Sequence, residues 1–180
     1  IGWAPSNGSF QAFVTAMRLL EGEDRARAWL AGILANEPKA YPKNGPAVAA
    51  IADGEIDVAF VNHYYRHALA RERGEPFPVQ NHHPPAGGAG ALVNVAGAGV
   101  LRAAPDPEAA LAFVEFLLSE EAQRRFLEGS REYPLARGLD LPLPEGMPPL
   151  SEIPHPDVDL DRLADLERTL ALLRETGALR

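Results

Sequence analysis

Phe10, Phe13, Val14, Met17 and Leu20 recur in steps of three and four residues, directly after the polar turn Ser6-Asn7-Gly8-Ser9. That spacing predicts an amphipathic helix with a capped, glycine-containing start. A second helix is expected from Glu23 to about Ala35, burying Ala26, Trp29, Leu30, Ile33 and Leu34. Asn44-Gly45-Pro46 reads as a third start, because proline is tolerated in a first turn, and Gly54 reads as its stop. The apolar run Ile56-Asp57-Val58-Ala59-Phe60-Val61 follows at once and predicts a buried strand, so helix and strand alternate as in an α/β unit.

Beyond Tyr65 a short charged helix is expected to end near Gly74, and Glu75 to Gly90 reads as an extended loop rich in Pro, Gly and His. Ala91 to Leu101 has strand-like apolar content, with Gly97 and Gly99 suited to a crossover where chains approach closely. Asp106-Pro107 starts a helix expected to bury Leu111, Phe113, Val114, Phe116, Leu117 and Leu118. Ser119-Glu120-Glu121 caps another, through about Glu128. Tyr133 to Pro156 reads as an ordered wrap without regular structure. Leu163, Leu166, Leu170 and Leu173 mark a final helix from Leu160 to about Thr176, a stripe too short for a coiled coil. There is no internal repeat.

Composition narrows the function classes. With 46% apolar residues, 180 positions suffice for one or two domains with a real core. The net charge of −8, without a basic run, argues against general nucleic-acid binding. Absence of cysteine excludes thiolate metal sites, iron–sulfur clusters, thiol nucleophiles and disulfides. No apolar run reaches transmembrane length, and the first residues carry neither a basic region nor a signal core, so the chain is expected to be mature, cytosolic or a fragment. The 17 prolines, about twice the usual share of roughly 5%, suggest a rigid, heat-adapted protein.

The most informative motif is Asn62-His63-Tyr64-Tyr65, two adjacent phenols at the expected end of a strand. Open parallel sheets bind ligands outside the carboxyl ends of their strands. A phenolate is a hard anionic donor that rewards a small, highly charged cation such as Fe(III). The alternative is packing, since tyrosine is common in strands and neighbouring strand residues point to opposite faces. The turn at Asn7, Gly8, Ser9 and Phe10 either caps its helix or offers N–H groups to an anion, and Asn44 carries the same two readings. His63 and His67 are four residues apart, but the glutamate of a zinc-protease motif does not follow His63. His82-His83 and His155 read as solvated, Gly87-Gly88-Ala89-Gly90 as a flexible turn, and Tyr133 before Pro134 as packed structure. No partner supports Ser9 as a hydrolase nucleophile.

Four stretches carry a resemblance: residues 2–13 (Gly-Trp-Ala-Pro-Ser-Asn-Gly-Ser-Phe-Gln-Ala-Phe), Tyr41-Pro42-Lys43-Asn44, residues 57–65 ending in the tyrosine pair, and residues 93–100. Together they resemble the ferric-ion-binding proteins of bacterial ABC importers, and residues 113–123 resemble a carboxyl-terminal pattern of that superfamily. The resemblance implies a periplasmic-binding-protein-like (type II) α/β lobe with a mixed sheet flanked by helices, and no catalysis. It implies Fe(III) held by Tyr64 and Tyr65. A synergistic carbonate or phosphate would lie at Asn7, Gly8, Ser9, Phe10, Asn44 and Asn62. It further implies an inner-membrane permease as partner, a periplasmic or cell-surface location, and a monomer when full length.

Family members are nearly twice as long. By resemblance, residues 1–94 and 146–180 form the second lobe, while 95–145 return to a largely absent first lobe that would contribute further ligands. The apolar helix face in 95–145 would then lack its natural cover. A binding protein of the same fold for an oxyanion or other small solute is a second reading, and a zinc-dependent hydrolase using His63 and His67 a third.

Overall fold

The computed structural model describes residues 1–84 and 88–179. The chain divides into two compact units, one formed by residues 1–94 and 153–180, the other by 95–152.

The first unit is organised around β1 (Gly2–Trp3), which pairs in parallel with β2 (Lys39–Ala40) in the register Gly2 to Lys39 and Trp3 to Ala40. On its other side β1 makes a single parallel bridge from Gly2 to Ala59. Gly2 N–H donates to Val58 O at 2.7 Å and Phe60 N–H to Gly2 O at 3.2 Å. The strand expected over Ile56–Val61 is therefore reduced to one bridge, and it is not fully buried, since Val58 is 51% exposed. Among the described residues those two bonds join this segment to the two-residue β1, too few to extend a ladder. The pairings among the described residues are all parallel, where a mixed sheet was expected.

Helices α1 (Gly8–Glu21) and α2 (Glu23–Ala35) lie between β1 and β2 in sequence, and α3 (Asn44–Ala52) follows β2. Their bounds agree closely with the sequence expectation because the punctuation is strong. Asn7 caps α1, Gly22 separates α1 from α2 at φ +90°, and Gly54 follows α3 at φ +72°, a region that favours glycine. Trp3, Phe10, Val14, Met17, Ala26 and Leu30 form the core with Leu172 and Leu173. Phe13, Trp29 and Phe60 pack onto it, with Trp29 and Phe60 ring centroids 5.3 Å apart. Full burial, as of the Phe10 ring, contributes about 1.5–3 kcal/mol, and the partly buried rings add less. This cluster fixes the extended segment that precedes the tyrosines.

Tyr64 and Tyr65 lie inside α4 (Tyr64–Arg73) rather than before it. The terminal element is also divided: Leu160–Ala164 is a 3-10 turn, and α7 (Leu166–Glu175), numbered after the two helices of the second unit, begins after Asp165. The continuous helix expected from Leu160 fails because Asp159 caps Asp161 N–H and Arg18 takes both the backbone oxygen and a carboxylate oxygen of Asp165.

The second unit contains α5 (Pro107–Leu117), capped by Asp106, and α6 (Glu120–Ser130), capped by Ser119. The coil after them gathers Leu127, Leu141 and Met147 with Tyr133 into a small cluster. No residue of α5 is buried: Leu111 is 52% and Phe113 61% exposed, contrary to the expected buried face. Residues 92–100 make no strand pairing, and an added Cβ at Gly97 or Gly99 would meet nothing within 4 Å. The close approach assigned to those glycines occurs instead at Gly2. In the turn expected at Gly87–Gly90, Gly87 lies outside the described residues, while Ala89–Ala91 is a 3-10 turn with Ala89 buried.

Candidate functional site

Three parallel backbone stretches leave the same edge of the pairing, and each runs into a helix after a short connection. Residues 4–7 lead to α1, 41–43 to α3 and 60–63 to α4. Parallel register therefore brings three helix amino ends to the carboxyl edge of the strands, where open α/β sheets bind ligands. Helix amino ends present N–H groups and partial positive charge.

At α1 the cap is occupied by the chain itself. Asn7 Oδ1 accepts from Ser9 N–H at 2.9 Å and from Phe10 N–H at 3.4 Å. Two donors that the sequence reading offered to an anion are thus already engaged. Gly8 N–H has no acceptor among the described residues. The Phe10 side chain belongs to the core rather than to the edge.

Asn44 is the first residue of α3 and only 2% exposed; Lys43 holds the cap position. Its Nδ2 donates to Asn62 Oδ1 at 2.9 Å, tying the start of α3 to the approach of α4. Its own Oδ1 is buried and without a partner among the described residues. A buried carbonyl oxygen in that state is costly and calls for a hydrogen-bond donor; Arg18 Nε, away from this edge, is buried in the same state. Gly45 continues the contact: a Cβ there would lie 3.9 Å from Tyr65 Cδ1.

The tyrosines stand in the first turn of α4. Successive helical residues are about 100° apart, not 180°, so adjacent side chains can share a side. Their ring centroids are 4.7 Å apart at 35°. His63 packs edge-on to Tyr64 at 5.4 Å, and Asn81 Nδ2 donates to the His63 carbonyl at 3.0 Å. Tyr65, Asn44, Asn62 and Gly45 are thus gathered where α3 and α4 begin, with the Tyr64 ring tilted against Tyr65.

The acidic residues are arranged around this edge by omission. α2, α5, α6 and α7 all carry Asp or Glu in their first turn, as the helix dipole favours, whereas α1, α3 and α4 carry none. Among the described residues no group of three or more His, Asp or Glu side chains is placed to hold a metal, so the His63/His67 zinc reading lacks its third ligand. Tyr133 lies in the second unit, where its hydroxyl donates to Pro148 O at 2.7 Å and burial raises its pKa. It is packed, as expected.

The resemblance already grouped Asn7, Asn44 and Asn62 about one anion; what sequence reasoning missed is the direct Asn44–Asn62 hydrogen bond. A signal was present: Pro5-Ser6-Asn7 and Pro42-Lys43-Asn44 repeat one Pro-x-Asn exit from an extended stretch, and a third asparagine, Asn62, precedes α4.

A family model described as bacterial extracellular solute-binding protein matches residues 3–128. The major ferric iron-binding protein of Neisseria meningitidis serogroup B is 37% identical over 186 residues, covering 98% of this chain and 53% of its own length. Iron uptake protein A2 of Synechocystis is 38% identical over 146 residues, covering 76% of this chain and 42% of its own length. Among solved structures, iron-bound HitA from Pseudomonas aeruginosa superposes with a TM-score of 0.91 at 35% identity, covering 98% of this chain and 56% of that one. Apo FutA2 from Synechocystis gives 0.75 at 29% identity, with 99% and 59% covered. The chain spans about half the length of the curated relatives it matches. The α/β binding-protein class expected from the sequence is therefore correct, and the family is one of binding proteins, not enzymes. This chain belongs to the bacterial extracellular solute-binding proteins.

Proposed function

We propose that this chain is the ligand-holding part of the substrate-binding component of a bacterial iron importer, capturing Fe(III) through the phenolates of Tyr64 and Tyr65 with a carbonate or phosphate alongside. The observation that carries the reading is the pair of phenol rings 4.7 Å apart in the first turn of α4. Ionising two free phenols at neutral pH costs about 4 kcal/mol each, from a reference pKa near 10. A trivalent cation offsets that cost, and a helix amino terminus lowers it further. The relatives named for ferric iron support the choice of cargo.

The anion would accept from the free N–H of Gly8 and from the Nδ2 groups of Asn44 and Asn62, with Asn7, Ser9 and Phe10 shaping the cap. It would complete the coordination of the metal while its charge faces helix N–H groups. Delivery to an inner-membrane permease, a periplasmic or cell-surface location and a monomeric state belong to the same reading. So does the assignment of residues 1–94 and 146–180 to one lobe and of 95–145 to another.

The test is a titration of the metal-stripped protein with Fe(III) and phosphate, followed by visible absorption. A tyrosinate-to-iron charge-transfer band is expected in the wild type and lost in the Tyr64→Phe/Tyr65→Phe variant. Equal, tight iron binding by both would sink the reading. The acid-free helix starts favour a second reading, a binding protein for an oxyanion without metal; tight calorimetric binding of phosphate to the metal-free protein would select it.

A further inference from the structure

Past Gly74 the chain runs back along α4 as an irregular strap, residues 75–81, whose contacts converge on the turn that carries the tyrosines. Glu75 pairs with Arg66 at 3.0 Å and also accepts from Phe77 N–H at 2.7 Å. Val79 O accepts from Arg66 Nε at 3.0 Å, and Asn81 Nδ2 donates to His63 O at 3.0 Å. Between these polar contacts Phe77 and Val79 are buried with Val48 of α3 and Ala70 of α4, and Tyr65 packs against that cluster. The strap thus grips α4 on both sides of the pair, one residue before Tyr64 and one residue after Tyr65. The helix itself adds no side-chain cap here: His63 holds the cap position in helical conformation, and no acidic residue stands in the first turn.

Resting on the iron reading above, we propose that Asn81 and Arg66 are positioning residues for iron capture, locking the tyrosine turn to the strap so that both phenol oxygens are in place before the metal arrives. The His63 carbonyl shares one planar peptide unit with Tyr64 N–H, so holding that oxygen fixes the plane from which Tyr64 leaves the backbone. Arg66, the residue after Tyr65, spends its guanidinium fork on the Glu75 carboxylate and on Val79 O. That anchors the backbone beside Tyr65 and answers the arginine's charge next to a site for a cation. A ligand pair is selective only if its supporting shell holds it to a fraction of an ångström, and here the support comes from a segment that reaches neither phenol oxygen by any bond described above.

The experiment titrates wild type, Asn81→Leu, Asn81→Gln, Arg66→Lys and Thr169→Val with Fe(III) and phosphate against citrate as competitor. It records the charge-transfer band of each loaded protein and each urea midpoint. Asn81→Leu is close in volume but donates nothing. It is expected to bind iron about tenfold more weakly, the lower end for a group that orients a metal ligand, with its band shifted from that of wild type. Asn81→Gln keeps the amide donor and should recover most of the affinity. Arg66→Lys keeps the charge but not the planar fork that spans Glu75 and Val79 O, and should shift the band in the same direction. Thr169→Val disturbs the α1–α7 contact instead, and should lower the urea midpoint while leaving band and iron affinity unchanged. A wild-type band and affinity in Asn81→Leu would overturn the positioning role while leaving the tyrosines as ligands. So would an affinity loss with an unshifted band that Thr169→Val reproduces at a matched urea midpoint. Where Asn81→Leu does not fold, an unshifted band in Arg66→Lys overturns the proposal. A wild type without a charge-transfer band would overturn the iron reading and this inference together.

Discussion

Gly2 is the residue through which both parallel pairings pass. A Cβ there would overlap Ile56 Cδ1 and lie 3.1 Å from the Tyr41 ring and 3.2 Å from the Ala59 Cβ. Gly2→Ala is therefore expected to destabilise the protein by about 1–3 kcal/mol, the usual cost of overpacking, read as a lower urea midpoint. It should also weaken iron binding, because it pushes apart the stretches that lead into α3 and α4. Asn7→Ala should cost about 1 kcal/mol through loss of the α1 cap. The site was partly legible at this scale. The tyrosine pair and the three asparagines stand out by type and by position before helix starts. The Asn44–Asn62 bond does not, because it joins residues 18 apart through a register that only the folded pairing fixes. Gly2 was equally silent, since one glycine near a chain start carries no local signal.

Helix α7 docks on α1 and α2 through a hydroxyl pair and a salt-bridge network. Thr15 and Thr169 Oγ1 atoms are 2.7 Å apart in the core, and Arg18 Nη1 donates to Thr169 Oγ1 at 2.9 Å. Around them Arg168 bridges Glu23 and Glu175, and Arg27 bridges the same two carboxylates. Thr169→Val is expected to cost about 1–3 kcal/mol, since it leaves the buried Thr15 hydroxyl and one Arg18 donor with fewer partners. The hydrogen bond from Arg168 holds the Glu23 carboxyl below its ordinary value, and bonds from Arg27 and Arg168 do the same for Glu175. Lowered folded-state values mean stability that is complete above the ordinary carboxylate range and is lost as pH falls through the depressed ones. Urea midpoints should therefore drop between about pH 5 and pH 2, and Glu23→Gln/Glu175→Gln should flatten that part of the profile. Both groups are solvent-exposed, so the change should be modest and smaller in salt. Helices with strong caps and glycine stops were readable in the sequence almost to the residue. The break at Asp165 was not, because it depends on Arg18, which lies 147 residues away. The strands were not either: two-residue strands depend on partners, and no periodicity can announce them.

At the scale of the whole molecule, the second unit carries an apolar surface that its own residues do not cover. Leu111, Phe113, Phe116 and Leu118 are all exposed. Contiguous faces of this kind bind other apolar surfaces. The chain is thus expected to bind a hydrophobic dye, and Phe113→Ser/Leu118→Ser should reduce that signal without lowering the urea midpoint. The sequence gives the helix and its apolar stripe, but periodicity cannot say whether a stripe meets a partner. The first unit raises a different matter, because its chain is discontinuous: residues 1–94 are completed by 153–180. Val14 and Met17 of α1 pack in one core with Leu172 and Leu173 of α7. At about 5–20 residues per second, a ribosome makes the two halves of that core on the order of ten seconds apart. Through that interval the nascent chain is expected to expose the apolar face of α1 that Leu172 and Leu173 later cover, a surface of the kind that invites association before folding is complete.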